Sequence, residues 1–218
     1  EWSQYILLTA GKSDHEHGST AVTEVFDASD PTKASESLAP FPNAEVWLPP
    51  GGFLDGKLVV CSGSSSKMCY TFDGCSWTPF ATLMDQRHQS ASSVIKGNPD
   101  RLWLVGGNGG TSKLTSEYLF ANGTVSPGPN MHPGPFDYYG VYGSCVVQLV
   151  NGQSLLLGGS GSSGLVRTKV HRYDHITDTF TEQQPMLYYR YFHACTVFVS
   201  AKHGMFAILF INLHKYHH

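Results

Sequence analysis

The sequence predicts an all-β fold, and three observations carry that expectation. The 218 residues include 23 glycines and 12% aromatics but only 14% charged residues, against roughly 25% charged in an average soluble protein. No heptad and no 3.6-residue apolar stripe runs along the chain. A short apolar strand that ends on glycine recurs four times, as Tyr5–Gly11, Lys57–Gly63, Arg101–Gly107 and Ser154–Gly159, with the final glycines about fifty residues apart. A disordered chain has the opposite bias, and a helical bundle needs far more Glu, Lys and Ala. Strand-sized elements repeating at this period are the pattern of a β-propeller, with one four-stranded sheet, or blade, per repeat.

Each of these strands leads through a Gly/Ser loop into a strand of alternating polarity: Val22–Asp27, Met68–Asp73, Ser116–Phe120 and Val170–Asp174. A fourth element follows, marked by Trp77 in the second unit and Phe180 in the fourth, while the third offers only Val125–Pro127. An aromatic near the outer edge is expected to fill the wedge that widens between neighbouring sheets. The units close near Pro40, Met84, Met131 and Met186. A loop carrying Arg87 and His88, or Arg190, then leads into a strand of small residues, as in Ser90–Val94, Gly143–Val147 and His193–Val197. Small side chains suit the innermost strand, where the sheets crowd around the axis. The glycines that end the first strand of each unit allow positive φ where a Cβ would clash. On this reading the whole chain, 1–218, is a single domain with repeats at approximately 5–40, 45–83, 90–131 and 142–186 and a partial one at 190–213.

These residues resemble the kelch-repeat family. Its motif pairs a Gly-Gly with a later Tyr, then a Trp, then a Met and a charged loop. The matches here are Gly106-Gly107 and Gly158-Gly159, Tyr70 and Tyr173, Trp77, and Met84, Met131 and Met186. The resemblance implies a kelch-type propeller of four-stranded blades. Family members have about six or seven blades, within the usual range for propellers, whereas about four and a half repeats are legible here, so a small or incomplete ring is expected. The chain starts at the second strand of a blade. At its other end Met205–Leu213 reads as a strand that would compete with Tyr5–Leu8 for one slot. Open edges favour self-association through strand pairing. A first residue of Glu1 rather than Met is expected of a processed, trimmed or fragmentary product.

The net charge of −3 gives no electrostatic footprint for nucleic acid or an anionic membrane. The apolar run Met205–Ile211 is far short of the roughly 20 residues of a membrane span. Of the five cysteines, Cys61 and Cys69 lie at the ends of successive strands, a spacing that antiparallel pairing brings within disulfide range. The alternative is two buried thiols, and Cys75 could displace either partner. Cys145 and Cys195 share a repeat position on the small-residue strands and read mainly as small channel-lining residues, with a bridge between units as the alternative. Asn122-Gly-Thr124 is an N-glycosylation acceptor. The sequon and the Cys61/Cys69 spacing together favour secretion over the cytoplasm.

His15, His17, His214, His217 and His218 lie in a polar loop and the tail without the framework of a zinc site, and CxxC pairs are absent. No helix follows the Gly106–Gly110 loop, so it lacks the dipole that binds phosphate. No metal or cofactor is expected. Copper radical enzymes of the galactose-oxidase type share the kelch scaffold, but Phe192 of Arg190-Tyr-Phe-His193 stands where those enzymes have the Tyr beside the His. The chain is therefore expected not to be an enzyme.

The expected function is non-catalytic recognition of a protein or glycan through inter-strand loops, which a rigid propeller presents together. The candidates are Arg87, His88, Tyr138, Tyr139, Tyr188 and Arg190, of residue types common at binding hot spots. The same residues could instead stack and cap the fold. A second reading is an intracellular kelch adaptor, which recruits substrates to a ubiquitin ligase or binds actin, separated from its partner domain.

Overall fold

The computed structural model describes residues 5–12, 19–30, 32–43, 49–61, 66–109, 111–130, 141–161, 168–199 and 206–212. Successive segments of the chain build successive antiparallel sheets. The first contains β1 (Tyr5–Lys12), β2 (Ser19–Asp27) and β3 (Glu36–Leu38). The second contains β4 (Gly51–Leu54), β5 (Lys57–Cys61), β6 (Met68–Phe72) and β7 (Trp77–Thr82). The third contains β8 (Ala91–Ile95), β9 (Arg101–Val105), β10 (Ser116–Phe120) and β11 (Val125–Pro127). The fourth contains β12 (Cys145–Gln148), β13 (Ser154–Leu157), β14 (Val170–Asp174) and β15 (Thr179–Glu182). A last sheet pairs β16 (His193–Val199) with β17 (Phe206–Asn212). The one helical element described is a 3-10 turn at Ser112–Leu114.

Strand order within each four-stranded sheet follows chain order, so every pairing is a meander hairpin. The inner strands β4, β8, β12 and β16 lie beside one another in that sequence. Each gap between neighbouring sheets holds its own apolar cluster. Phe41, Val60 and Trp77 fill the first gap, and Leu54, Val59, Leu102, Leu104 and Leu119 the second. Trp103, Val141, Val146, Leu156 and Tyr173 fill the third, and Val147, Leu157 and Val170 the fourth, with Met186 and Cys195 packed against them. This is why the second strands β5, β9 and β13 are apolar on both faces rather than alternating: each face meets another sheet.

The outer aromatics do fill the wedges. Trp77 packs edge-on against Phe41 at 4.9 Å and donates its indole N–H to the Ala39 carbonyl at 3.1 Å, tying the second sheet to the first. Phe180 stacks on Tyr173 at 4.6 Å and reaches Trp103 of the third sheet. The small inner strands have an equally direct cause. The Ser92 hydroxyl accepts from the Gly51 N–H at 2.9 Å and donates to the Gly51 carbonyl at 2.8 Å. No larger side chain fits between two backbones that close.

Two expectations are resolved. The slot beside β16 is taken by the C-terminal strand: β17 pairs with β16 from Asn212↔His193 to Phe206↔Val199, while β1 pairs with β2. Among the described strands, none pairs the first sheet with the last, and the sheets form an arc that is not closed into a ring. The other correction concerns Cys145 and Cys195, which are not free channel-lining thiols. They form a disulfide with a Cα–Cα distance of 6.0 Å, joining inner strands β12 and β16 of adjacent sheets. The expected Cys61–Cys69 disulfide is present between directly opposed residues of β5 and β6, with Cα atoms 3.9 Å apart. Cys75 is a free, exposed thiol.

Candidate functional site

Meander topology sorts the connections between two ends of the arc. The segments that follow β9 and β13 emerge at the same end as those that precede β8, β12 and β16. The hairpin turns β8–β9, β10–β11, β12–β13 and β14–β15 emerge at the opposite end. Asn122 sits in the exposed β10–β11 turn at that opposite end, where its side-chain oxygen accepts the Thr124 N–H at 3.0 Å.

At the loop end the glycine pairs join one sheet to the next. Gly107 N–H donates to the Val141 carbonyl at 2.9 Å, and Gly159 N–H donates to the Arg190 carbonyl at 2.8 Å, one repeat later. A Cβ on Gly106 would strike the Val141 carbonyl, and one on Gly158 the Arg190 carbonyl. Positive φ at both, +62° in each case, is thus only half of their reason; the other half is the backbone that passes over them.

Arg87 is a residue of the fold and not of the binding surface. It is 0% exposed. Its Nε donates to Glu117 Oε1 at 2.7 Å, and the rest of its guanidinium is spent on the carbonyls of Gly106, Ser112 and Thr115 and the Thr115 hydroxyl. Burial pulls its pKa down, and the Glu117 carboxylate opposes that shift. Glu117 also accepts the N–H groups of Met84 and Asp85, so one ion pair pins the entry loop of the third sheet to its own second-to-third strand connection. Glu117 went unmarked in the sequence because it looks like any polar position on an alternating strand.

The remaining predicted residues are divided. His88 is half-buried on the same loop, and its carbonyl accepts the Asn108 N–H at 2.7 Å. Arg190 is half-buried at the repeat position of Arg87. Tyr188 is 71% exposed, between Leu187 at 94% and Tyr189 at 66%. Tyr138 and Tyr139 lie outside the described residues, as do Met131 and the histidines of the loop and tail. Among the described residues, no three His, Cys, Asp or Glu side chains converge as a metal site requires.

At the loop end, on the inner side of the arc, lies a cavity of about 260 Å³ lined by Gln89, Ser90, Gly143, Ser144, Phe192 and His193, with Thr9 and Pro49 at its side. Three of these occupy one repeat position, just before the inner strand, and all three have left-handed backbone: φ is 57° at Gln89, 62° at Gly143 and 50° at Phe192. They are linked in series, with Gly143 N–H donating to the Gln89 carbonyl at 2.7 Å and Phe192 N–H to the Gly143 carbonyl at 2.8 Å. Such a backbone costs a residue with a Cβ about 1–2 kcal/mol. The Gln89 side-chain oxygen and the Ser144 hydroxyl are buried behind this wall without a hydrogen-bond partner. His193 is 6% exposed, and burial, assisted by the nearby Arg190 charge, pushes its pKa down to about 4, so its ring is neutral at pH 7. Of this set Phe192 and His193 stand out in the sequence as part of Arg190-Tyr-Phe-His193, and Ser90 and Gly143 as the first residues of small-residue strands, but none of them as the wall of a cavity. The recurrence of a residue before Ser90, Ser144 and His193 is the signal that was there to be read.

No protein-family model matches the chain. No curated protein matches it either. Its fold is similar to many solved structures, 166 chains in all. Among them is YjhT, which is 15% identical and superposes with a TM-score of 0.63 over 83% of this chain. The chain spans 66% of the length of the YjhT structure. That likeness shows the fold: the chain is an all-β protein of the β-propeller type, built from four-stranded antiparallel blades in an open arc.

Proposed function

We propose that the chain is a non-catalytic recognition module that binds a protein or a glycan through the loop end of its arc. One observation carries this reading: three consecutive large side chains, Leu187, Tyr188 and Tyr189, stand in solvent at 94%, 71% and 66% exposure on a loop anchored at both ends. Met186 N–H donates to the Thr168 carbonyl before them, and Gly159 N–H to the Arg190 carbonyl after them. A rigidly held apolar and aromatic patch loses little conformational freedom on binding, which is what hot-spot residues require. We further propose that the protein is secreted. Two disulfides support this, together with an Asn122 sequon displayed on a turn away from the loop end.

The test is a paired array experiment. Wild-type protein and a Tyr188→Ala/Tyr189→Ala variant are applied to arrays of glycans and of extracellular proteins. Wild-type signals that fall about tenfold or more in the variant, with unchanged Tm, support the reading. A variant that binds as wild type does overturns it.

A further inference from the structure

We propose that the Cys145–Cys195 disulfide is a redox latch on the Leu187–Tyr189 loop. A dithiol opens it in the folded protein while Cys61–Cys69 stays closed, and the loop then loses one of its anchors. The inference rests on the reading of that loop as the recognition surface and adds its regulation. The two disulfides have opposite settings. Cys61 and Cys69 are directly opposed on β5 and β6, inside one sheet, and both are 0% exposed. The ladder between those strands holds them together whatever the state of the sulfurs. Cys145 and Cys195 are half-buried and join two different sheets. Among the described strands, no ladder runs between β12 and β16. Exchange requires a thiolate to reach a sulfur, so the half-buried bridge is the one open to attack. The dithiol's first sulfur bonds to one cysteine sulfur as the S–S bond breaks, and its second closes the reductant's own disulfide. Cys145 and Cys195 are left as thiols, with the two electrons and two protons that the dithiol supplied.

Opening this bridge also changes more. It spans 50 residues of chain against 8 for the other, and a longer closed loop restricts the unfolded chain more strongly. What else holds β16 to the fourth sheet is modest. Val147, Leu157 and Val170 form a small apolar cluster there, with Met186 and Cys195 packed against it. Two backbone hydrogen bonds add to it, from Gly159 N–H to the Arg190 carbonyl and from Phe192 N–H to the Gly143 carbonyl, both at 2.8 Å. Both lie between Tyr189 and β16, and the first is the anchor that ends the Leu187–Tyr189 loop. A hairpin that swings away from the fourth sheet pulls on these two bonds before anything else. Elements with few buried apolar contacts open first. The freed loop must then be ordered again by whatever binds it, and its affinity falls.

The experiment uses the full chain, with the exposed Cys75 thiol first blocked by N-ethylmaleimide. Folded protein is titrated with dithiothreitol, quenched with iodoacetamide and mapped by mass spectrometry. Backbone hydrogen exchange and array binding are measured on the same samples. Cys145 and Cys195 should be alkylated at a dithiothreitol concentration at least about tenfold below that needed for Cys61 and Cys69. In the singly reduced protein, exchange over residues 187–199 should rise about tenfold or more, with β9 and β10 unchanged. The array signal that depends on Tyr188 and Tyr189 should fall by about the same factor. Cys145→Ser/Cys195→Ser should reproduce both changes without reductant, and if that variant does not fold, chemical reduction decides alone. Alkylation of Cys61 and Cys69 at the same dithiothreitol concentration or below overturns the proposal. So does unchanged exchange over 187–199 once Cys145 and Cys195 are thiols. Array binding that is equal in both redox states overturns it too, and leaves the loop reading standing. If exchange rises while the arrays stay blank in both states, the loop reading falls and the latch on the hairpin stands.

Discussion

Phe192 lies over Gly143: its N–H donates to the Gly143 carbonyl at 2.8 Å, and its ring carbons Cδ1 and Cε1 stand 2.8 Å from where a Cβ on Gly143 would be. The glycine therefore answers two demands, a φ of +62° and the close passage of the neighbouring unit. Gly143→Ala is expected to cost about 1–3 kcal/mol, from overpacking added to left-handed strain. Repeating it in a Phe192→Ala background should leave only the φ share. Urea midpoints for the four proteins of this cycle read the coupling directly, and equal costs in both backgrounds would show that the ring is not the obstacle.

How much of this could be read in advance follows from the same residues. The fold was legible because propeller strands advertise themselves: Arg101–Gly107 and Ser154–Gly159 repeat both an apolar run and its glycine stop. Ser116–Phe120 and Val170–Asp174 match β10 and β14, while Val22–Asp27 falls three residues short of the start of β2 at Ser19. Inner strand β4 gave no comparable signal, since Gly51-Gly-Phe-Leu54 reads as a turn until its neighbours are in place. The Cys145–Cys195 bridge stood only as the alternative for a related reason, because the lateral spacing of two inner strands is set by the arc and not by sequence distance. Side-chain roles were least legible. Nothing in the types of Gln89 or Phe192 announces left-handed backbone, and Arg87 reads equally as a hot-spot residue or a staple.

For Arg87 the structure decides, and it predicts a sharp asymmetry between single and paired replacements. Arg87→Met leaves the Glu117 carboxylate, 2% exposed, facing a thioether in place of a guanidinium. A buried charge stripped of its partner costs about 3–5 kcal/mol. Glu117→Gln alone should be similarly damaging, since Arg87 is 0% exposed. The double variant Arg87→Met/Glu117→Leu should recover part of that loss. Additive losses in chemical denaturation would mean that the two residues act separately.

Acid should weaken the protein before its carboxylates begin to titrate. His175 packs edge-on to Tyr173 at 4.6 Å and Trp103 at 5.2 Å, with Nε2 2.8 Å from the Ser154 hydroxyl and Nδ1 3.2 Å from the Tyr118 hydroxyl. Burial, then the Arg101 charge, pushes its pKa from 6.5 down to about 4, against the opposing pull of Asp174 and Asp178. His193 is shifted to the same value. A folded-state pKa below the unfolded one means that the unfolded chain binds protons which the folded chain refuses. Stability from these two groups is therefore complete above about pH 6.5 and drains away as pH falls towards 4. His175→Gln keeps a side chain that can donate and accept but removes the titration, so the fall in Tm between pH 6.5 and 4 should be shallower than in wild type, with His193 left as the second contributor. A variant whose Tm falls as steeply as wild type over that range would show that the His175 ring is not held neutral by its aromatic surroundings.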